Sequence, residues 1–419
     1  MKKLKNNLKK QYELLAPVGS FPMLISAINS GADSVYLGLK QGFGMRATAK
    51  NFTLNELKKI RKICNTQNPD KKIKIYLTLN TIIYPEEIKK IEKIIKKISK
   101  ENLVDAIICW DLSVIKLCKK YNLSFHISTQ ASVSNNSSAE FYKKLGAERI
   151  VLARELSLKQ IKKIKKQVKG IELESFIHGA RCVSISGRCF TSQFLFNKSA
   201  NRGKCLHPCR RTYTIKDEEG NELKLNNNRV LSAKDLCTLP FIEKMKKAGI
   251  TCFKIEGRNR DARYVSKITE IYRKALDKKL SEQEIKESIE KLKKVYNRKF
   301  SSGFYLGIPT SDDFSDTENS SSTEKKHFIG KIKHYYPKPQ VATIKLVSNL
   351  QIRDKINIIG NTTGINETIV ESMEINNKPI KKADKGQEVG IKVNLGNSRT
   401  NKRLRKNDEV YVIINSNKN

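Results

Sequence analysis

The sequence predicts an α/β protein: a TIM-like (β/α)8 barrel with a cysteine-bearing insertion after its seventh strand, followed by a small antiparallel β-barrel. Three observations predict it. Apolar β-type runs alternate with lysine-faced amphipathic segments up to about residue 300. The rhythm breaks once, at residues 179–238, where about 60 residues separate a strand from its helix. Beyond residue 326 only short alternating strands remain, punctuated by Gly, Asn and Asp.

The elements follow in order. YELLAP (12–17) is a continuous apolar run, as expected of a strand covered on both faces, and PMLISAINSG (22–31) is its helix. DSVYLG (33–38) pairs with TLNELKKIRKIC (53–64), and KIKIYLTLN (72–80) with EEIKKIEKIIKKIS (86–99). VDAIICW (104–110) precedes DLSVIKLCKKY (111–121), and SFHIST (124–129) precedes SAEFYKKLG (138–146). RIVLA (149–153) leads to SLKQIKKIKKQV (157–168). IELESFIH (171–178) reaches its helix PFIEKMKKAG (240–249) only after the insertion. TCFKIEG (251–257) and one long helix near 260–296 complete eight repeats. Alternation alone leaves an open doubly wound sheet as the structural alternative.

The domains read as a barrel over 1–308, a Ser/Asp/Thr-rich linker over 309–326, and a β-barrel over 327–419. The last carries SRTNKRLRKND (398–408), which suits RNA docking and equally a solvated basic loop. The insertion also holds a hairpin pattern, RTYTIKDEEGNELKL (211–225).

Charge narrows the partners. The 419 residues carry 82 Lys and Arg against 42 Asp and Glu, a formal +40. A lysine-rich proteome explains Lys in place of Arg but not the shortage of acids, so a polyanion is expected, with RNA or DNA ahead of an anionic membrane. The basic head MKKLKNNLKK precedes no apolar run of signal-peptide length, and none approaches the roughly 18 residues of a membrane span. The expectation is a cytoplasmic protein whose thiols are reduced or ligating.

Four of the nine cysteines fall in HGARCVSISGRCF (178–190) and GKCLHPCRR (203–211). Cys64, Cys109, Cys118 and Cys252 sit in apolar patterns and read as packing. Cys182, Cys189 and Cys205 stand among Gly, Ser, Arg and Lys, where a thiol has no core to fill. Tight Cys-x2-Cys zinc pairs are absent from the sequence, and ligands scattered through a loop suit an iron–sulfur cubane better. GFGMR (42–46) lacks a full G-x-G-x-x-G, so no nucleotide cofactor is expected.

ESFIHGARCVSISGRCF (174–190) with NRGKCLHPCRRTY (201–213) resembles the signature of the collagenase-like peptidase family, peptidases of unassigned mechanism. The resemblance spans nearly the whole chain, through ELLAPVGS (13–20), GADSVYLG (31–38), MRATAKNFT (45–53), LTLNT (77–81), FHISTQASVSN (125–135), SAKDLC (232–237) and FKIEGRNR (253–260). It implies an oxygen-independent iron–sulfur hydroxylase. Some members form 5-hydroxyuridine at the tRNA wobble position, others act on ribosomal RNA or ubiquinone precursors, and prephenate is implicated in the RNA branch. The size and trailing barrel look most like the tRNA branch. By resemblance a 4Fe–4S cluster would be held by Cys182, Cys189, Cys205 and Cys237, with Cys209 as the alternative fourth ligand. A paralogous partner subunit is a further implication.

Candidate groups at strand ends are Glu13, Arg46, Asn80, His126, Gln130, Glu174, His178, Lys254 and Glu256. Glu13 and Glu256 belong to the first and eighth strands, which meet if the barrel closes. Arg46 and Arg258 suit a dicarboxylate such as prephenate, or an RNA phosphate, because a guanidinium grips either with two bonds. A barrel Glu and Lys are often a satisfied ion pair, and a lone His is more often structural. The rival functions are a peptidase, with a cysteine nucleophile beside His178 or His207, and a non-catalytic RNA-binding partner.

Overall fold

The computed structural model describes residues 12–67, 72–214, 216–222, 231–393, 395 and 403–416. The basic head 1–11 and residues 398–402 of the basic loop lie outside the described residues. Of the hairpin expected over 211–225, an antiparallel bridge between Lys216 and Glu222 is described and 223–225 lie outside.

Strands β1 (Glu13–Pro17), β2 (Ser34–Leu37), β3 (Lys74–Thr78), β4 (Ala106–Cys109), β5 (Phe125–Ile127), β6 (Arg149–Val151) and β7 (Glu172–Gly179) pair in parallel in chain order. A short β8 (Asp235–Cys237) runs antiparallel to the end of β7. The eighth barrel strand is therefore β9 (Cys252–Ile255), which pairs in parallel with both β7 and β1. The sheet closes on itself, which excludes the open alternative.

The helices α1 (Phe21–Asn29), α2 (Glu56–Thr66), α3 (Ile88–Lys100), α4 (Leu112–Lys120), α5 (Asn136–Lys144) and α6 (Leu158–Gln167) each follow a strand. In α3 the buried Ile91, Ile94, Ile95 and Ile98 fall on one helical face, with lysines on the other. Two apolar layers result. The larger lies between strands and helices; the smaller, of Leu15, Tyr36, Tyr76, Ala106, Ile108 and Cys252, fills the barrel. A short α7 (Thr191–Phe196) lies in the insertion, and α8 (Ile242–Ala248) follows it.

The long helix expected near 260–296 is two: α9 (Ala262–Asp277) and α10 (Glu282–Lys293). Lys278 is extended, and Ser281 starts the second helix with a reciprocal cap to Glu284. The sequence SEQE carries that cap signature, and it outweighs the continuous periodicity.

Residues 309–326 are tied to the insertion at two points. Ser315 is fully buried and its N–H donates to Ser232 O at 2.5 Å, while Lys234 N donates to Asp313 O at 2.8 Å. A short β10 (Phe300–Ser301) pairs in parallel with β8 in the barrel's sheet, and the antiparallel C-terminal region opens with β11 (Glu324–Tyr336). Its eight-stranded sheet is open at both ends in hydrogen-bonded order, and two bulges bend β11 over a separate apolar core. Arg263 of α9 joins the two regions through a buried pair with Glu324, the first residue of β11. Among the described residues no helix is long and apolar enough to cross a membrane.

Candidate functional site

The C-terminal ends of the barrel strands converge on a cavity of about 250 Å³. Its lining among the described residues includes six Lys and Arg and a single carboxylate, Glu256. The strands supply Tyr36, Thr78, Phe176 and Lys254, and the segments just beyond them supply Asn80, Ser128, Gln130, Arg154 and Arg258. This is the face where βα loops carry chemistry.

Arg46 Nε lies 3.1 Å and Arg154 Nη2 lies 4.0 Å from the Glu256 carboxylate. Burial would push Glu256 up, but Arg46, Arg154 and Arg258 together hold it below the usual carboxylate range. Arg258 Nη1 donates to Thr78 Oγ1 at 3.2 Å. It fits because Gly38 follows β2, where a Cβ would collide with that guanidinium. Arg46 itself has φ +65°, a left-handed backbone that costs a non-glycine residue about 1–3 kcal/mol. Asn80 accepts from Met45 N at 3.0 Å and so holds that turn.

The insertion closes over this cationic cavity and brings four thiols to it: Cys182, Cys189, Cys205 and Cys209. Gln130 Nε2 donates to Ser186 O at 2.9 Å, and Ser186 N donates to Glu155 at 2.7 Å, which fastens the first cysteine loop to the rim. The second is fastened at Gly203, whose φ of +79° and close approach to Gly44 O leave no room for a side chain. The thiols act on one another. Burial pushes Cys205 up against the His207 N–H and Arg46, with Cys182 and Cys189 adding to the rise. Burial followed by Cys182 pushes Cys209 up to about 11. Backbone N–H groups already point at sulfur, from Thr191 to Cys189 and from His207 to Cys205, both at 3.4 Å.

Among the described residues no three His, Cys, Asp or Glu side chains are close enough to hold one metal ion. Cys182, Cys189, Cys205 and Cys209 share one cavity, and four cysteine thiolates are the donor set an iron–sulfur cluster takes.

The profile of peptidase family U32 matches residues 19–314. The chain belongs to peptidase family U32. Among its curated relatives, an uncharacterized protease of Methanocaldococcus jannaschii is 41% identical, over 96% of this chain and 98% of the relative. A collagenase of Porphyromonas gingivalis is 38% identical, over 96% and 97%. The tRNA hydroxylation protein P1 of Bacillus subtilis is 33% identical, over 85% of each.

In this U32 chain Cys237 is not with the other thiols. It belongs to the layer between barrel and helices, takes a bond from Tyr272 OH at 3.7 Å, and is absent from the cavity lining. Of the two thiols weighed for the fourth position, Cys209 lines the cavity and Cys237 does not. The reason is β8, whose antiparallel pairing sets Cys237 opposite His178 in the sheet.

His178 is likewise away from the cavity, 3.3 Å from Tyr272 OH, and its burial lowers it to about 3. His126 stands mid-strand beneath the site, its ring 4.6 Å from that of Tyr76, and opens toward the opposite mouth of the barrel. Glu13 begins β1 at that same far end, where Arg149 Nη2 binds it at 2.7 Å. It does not meet Glu256. Glu13 pairs with Cys252, four residues before Glu256, which is about 13 Å along a strand. Glu174, fully buried, bridges the two ends, with Arg149 at 3.4 Å and Lys254 at 2.8 Å. Arg154 was not among the sequence candidates. It stands three residues beyond the end of β6, and position past a strand end is the signal that finds it.

Proposed function

We propose that this U32 protein hydroxylates an RNA base without dioxygen, with the tRNA wobble uridine as target and 5-hydroxyuridine as product. The observation that carries the reading is the sharing of one cavity by four thiols and the Arg46, Arg154 and Arg258 cluster. The relative named tRNA hydroxylation protein P1 and the formal charge of +40 support RNA as the substrate class.

Cys182, Cys189, Cys205 and Cys209 would hold a 4Fe–4S cluster, which supplies one-electron transfer when bound. Replacing the C5 hydrogen by hydroxyl is a two-electron oxidation of the ring. The prephenate-linked donor that gives up the oxygen atom takes up those two electrons. The guanidiniums of Arg46, Arg154 and Arg258 grip the donor's carboxylates, and Glu256 sets their spacing without carrying a proton. Lys254 adds a fourth cation above Glu174. A loop uridine is already unpaired, so it enters the barrel mouth without the cost of opening a duplex.

The collagenase name of a 38% identical relative keeps a peptidase as the second reading. Its base would be His207, which burial followed by Arg210 and Arg46 lowers to about 3, a poor proton acceptor at neutral pH.

The test is anaerobic purification with iron and acid-labile sulfide assays, joined to nucleoside mass spectrometry of tRNA from a strain lacking the gene. Four irons per chain, and 5-hydroxyuridine restored by the wild type but not by Cys209→Ser, is the expected result. An iron-free protein that cannot be reconstituted, or unchanged tRNA in the deletion strain, overturns it.

A further inference from the structure

The surface of the insertion departs from the rest of the barrel in two ways at once. Residues 175–216 contain eight Lys and Arg and no Asp or Glu. The same stretch exposes large apolar side chains: Phe194 is 83% exposed, Ile185 63% and Phe190 60%. Apolar groups on this scale are uncommon on a surface that meets only water.

Their placement is specific. Phe190 stands between residues that line the cavity, Cys189 on one side and Thr191 and Ser192, which open α7, on the other. The Phe190 and Phe194 rings stand 6.1 Å apart, tilted by 36°. Cations flank them. Arg211 lies over the Phe196 ring at 4.7 Å, and Arg188 is fixed to the rim by a 2.9 Å bond to Ser132 Oγ.

We propose that Phe190 and Phe194 form a stacking platform for the unpaired nucleotides next to the target base, with the surrounding Arg and Lys holding their phosphates. The proposal rests on the RNA reading above and deepens it. Exposed aromatic faces on a basic segment without acidic residues match single-stranded nucleic acid, because every base offers a π-face and every nucleotide a negative charge. The platform also gives the enzyme a handle on sequence context, since the stacked neighbours fix which base reaches the cavity.

The experiment uses the anaerobically purified full chain and a fluorescent RNA hairpin whose seven-nucleotide loop carries the target uridine. A second hairpin has 5-iodouridine beside that position for photo-crosslinking. Phe194→Ala and Phe190→Ala should each bind roughly tenfold more weakly, and Phe194→Trp should bind as the wild type does. Iron content and melting temperature should be unaltered in all three, because the rings are exposed. Crosslinked peptides should contain Phe190 or Phe194.

Alanine variants that bind the hairpin like the wild type, with crosslinks elsewhere, overturn the platform and leave the RNA reading intact. A wild type that binds no hairpin overturns both. Variants with normal RNA binding but lost self-association or partner crosslinking would assign the surface to protein contact and also overturn the platform.

Discussion

Cys237 and Tyr272 share a hydrogen bond of 3.7 Å in the layer between the barrel and α9, whereas Cys209 faces the cavity with Cys182 and Cys205. The two cysteines therefore predict opposite phenotypes. Cys209→Ser should lose most of the iron and sulfide with little change in folding. Cys237→Ser should keep both and lose only packing. Iron content with far-ultraviolet circular dichroism separates them.

Glu174 is fully buried between two cations, Arg149 at 3.4 Å and Lys254 at 2.8 Å. Removing one partner of a buried pair leaves an uncompensated charge, at a cost of about 3–5 kcal/mol. Lys254→Met should therefore destabilise the barrel on that scale. Lys254→Met with Glu174→Gln should recover part of the loss. Denaturant unfolding of the single and double variants gives the coupling directly.

Arg154 is tied down by its 4.0 Å pair to Glu256 and by the Phe176 ring 4.4 Å away. Arg154→Ala should lower tRNA modification at least about tenfold, the scale of one lost charged hydrogen bond, while the melting temperature moves little. Nucleoside mass spectrometry of a complemented deletion strain reads the first and a thermal melt the second.

Burial raises Glu13, but Arg149, Ser34 and Tyr76 more than offset it and hold the carboxyl at about 2, against an ordinary 4.5. A carboxyl depressed in the folded state stabilises above its unfolded value, and that contribution fades as pH falls from 4.5 toward 2. Glu13→Gln should be less stable at pH 7 and lose stability less steeply across this window. Melting temperatures recorded between pH 6 and about pH 2.5 check both signs.

Much of the barrel is readable from the sequence because its strands are buried on both faces and its helices on one, so each announces itself by composition. The position of Glu13 is readable too: a residue that begins its strand stands at the mouth opposite the βα loops. His126 is harder, since a three-residue strand gives no clue to which end a mid-strand ring favours. Which of Cys209 and Cys237 lines the cavity is not readable. Cys209 and Cys237 differ by how the insertion folds back, and that depends on the antiparallel pairing of the three-residue β8. Nor does composition reveal that the 309–326 stretch is tied down: Ser, Asp and Thr look solvated until Ser315 is found bonded to the insertion.

Arg263 has a last consequence. It lies five residues after Arg258, on the helix that the cavity loop runs straight into, and it holds Glu324 of β11. Lys326 of the same strand grips Asp261, the N-cap of that helix, at 2.7 Å. The β-region and the barrel mouth are thus linked in series like a lever and its fulcrum. Any load taken up by the β-region is delivered to the loop that carries Arg258, so deleting that region would slacken the cavity without touching a single residue that lines it.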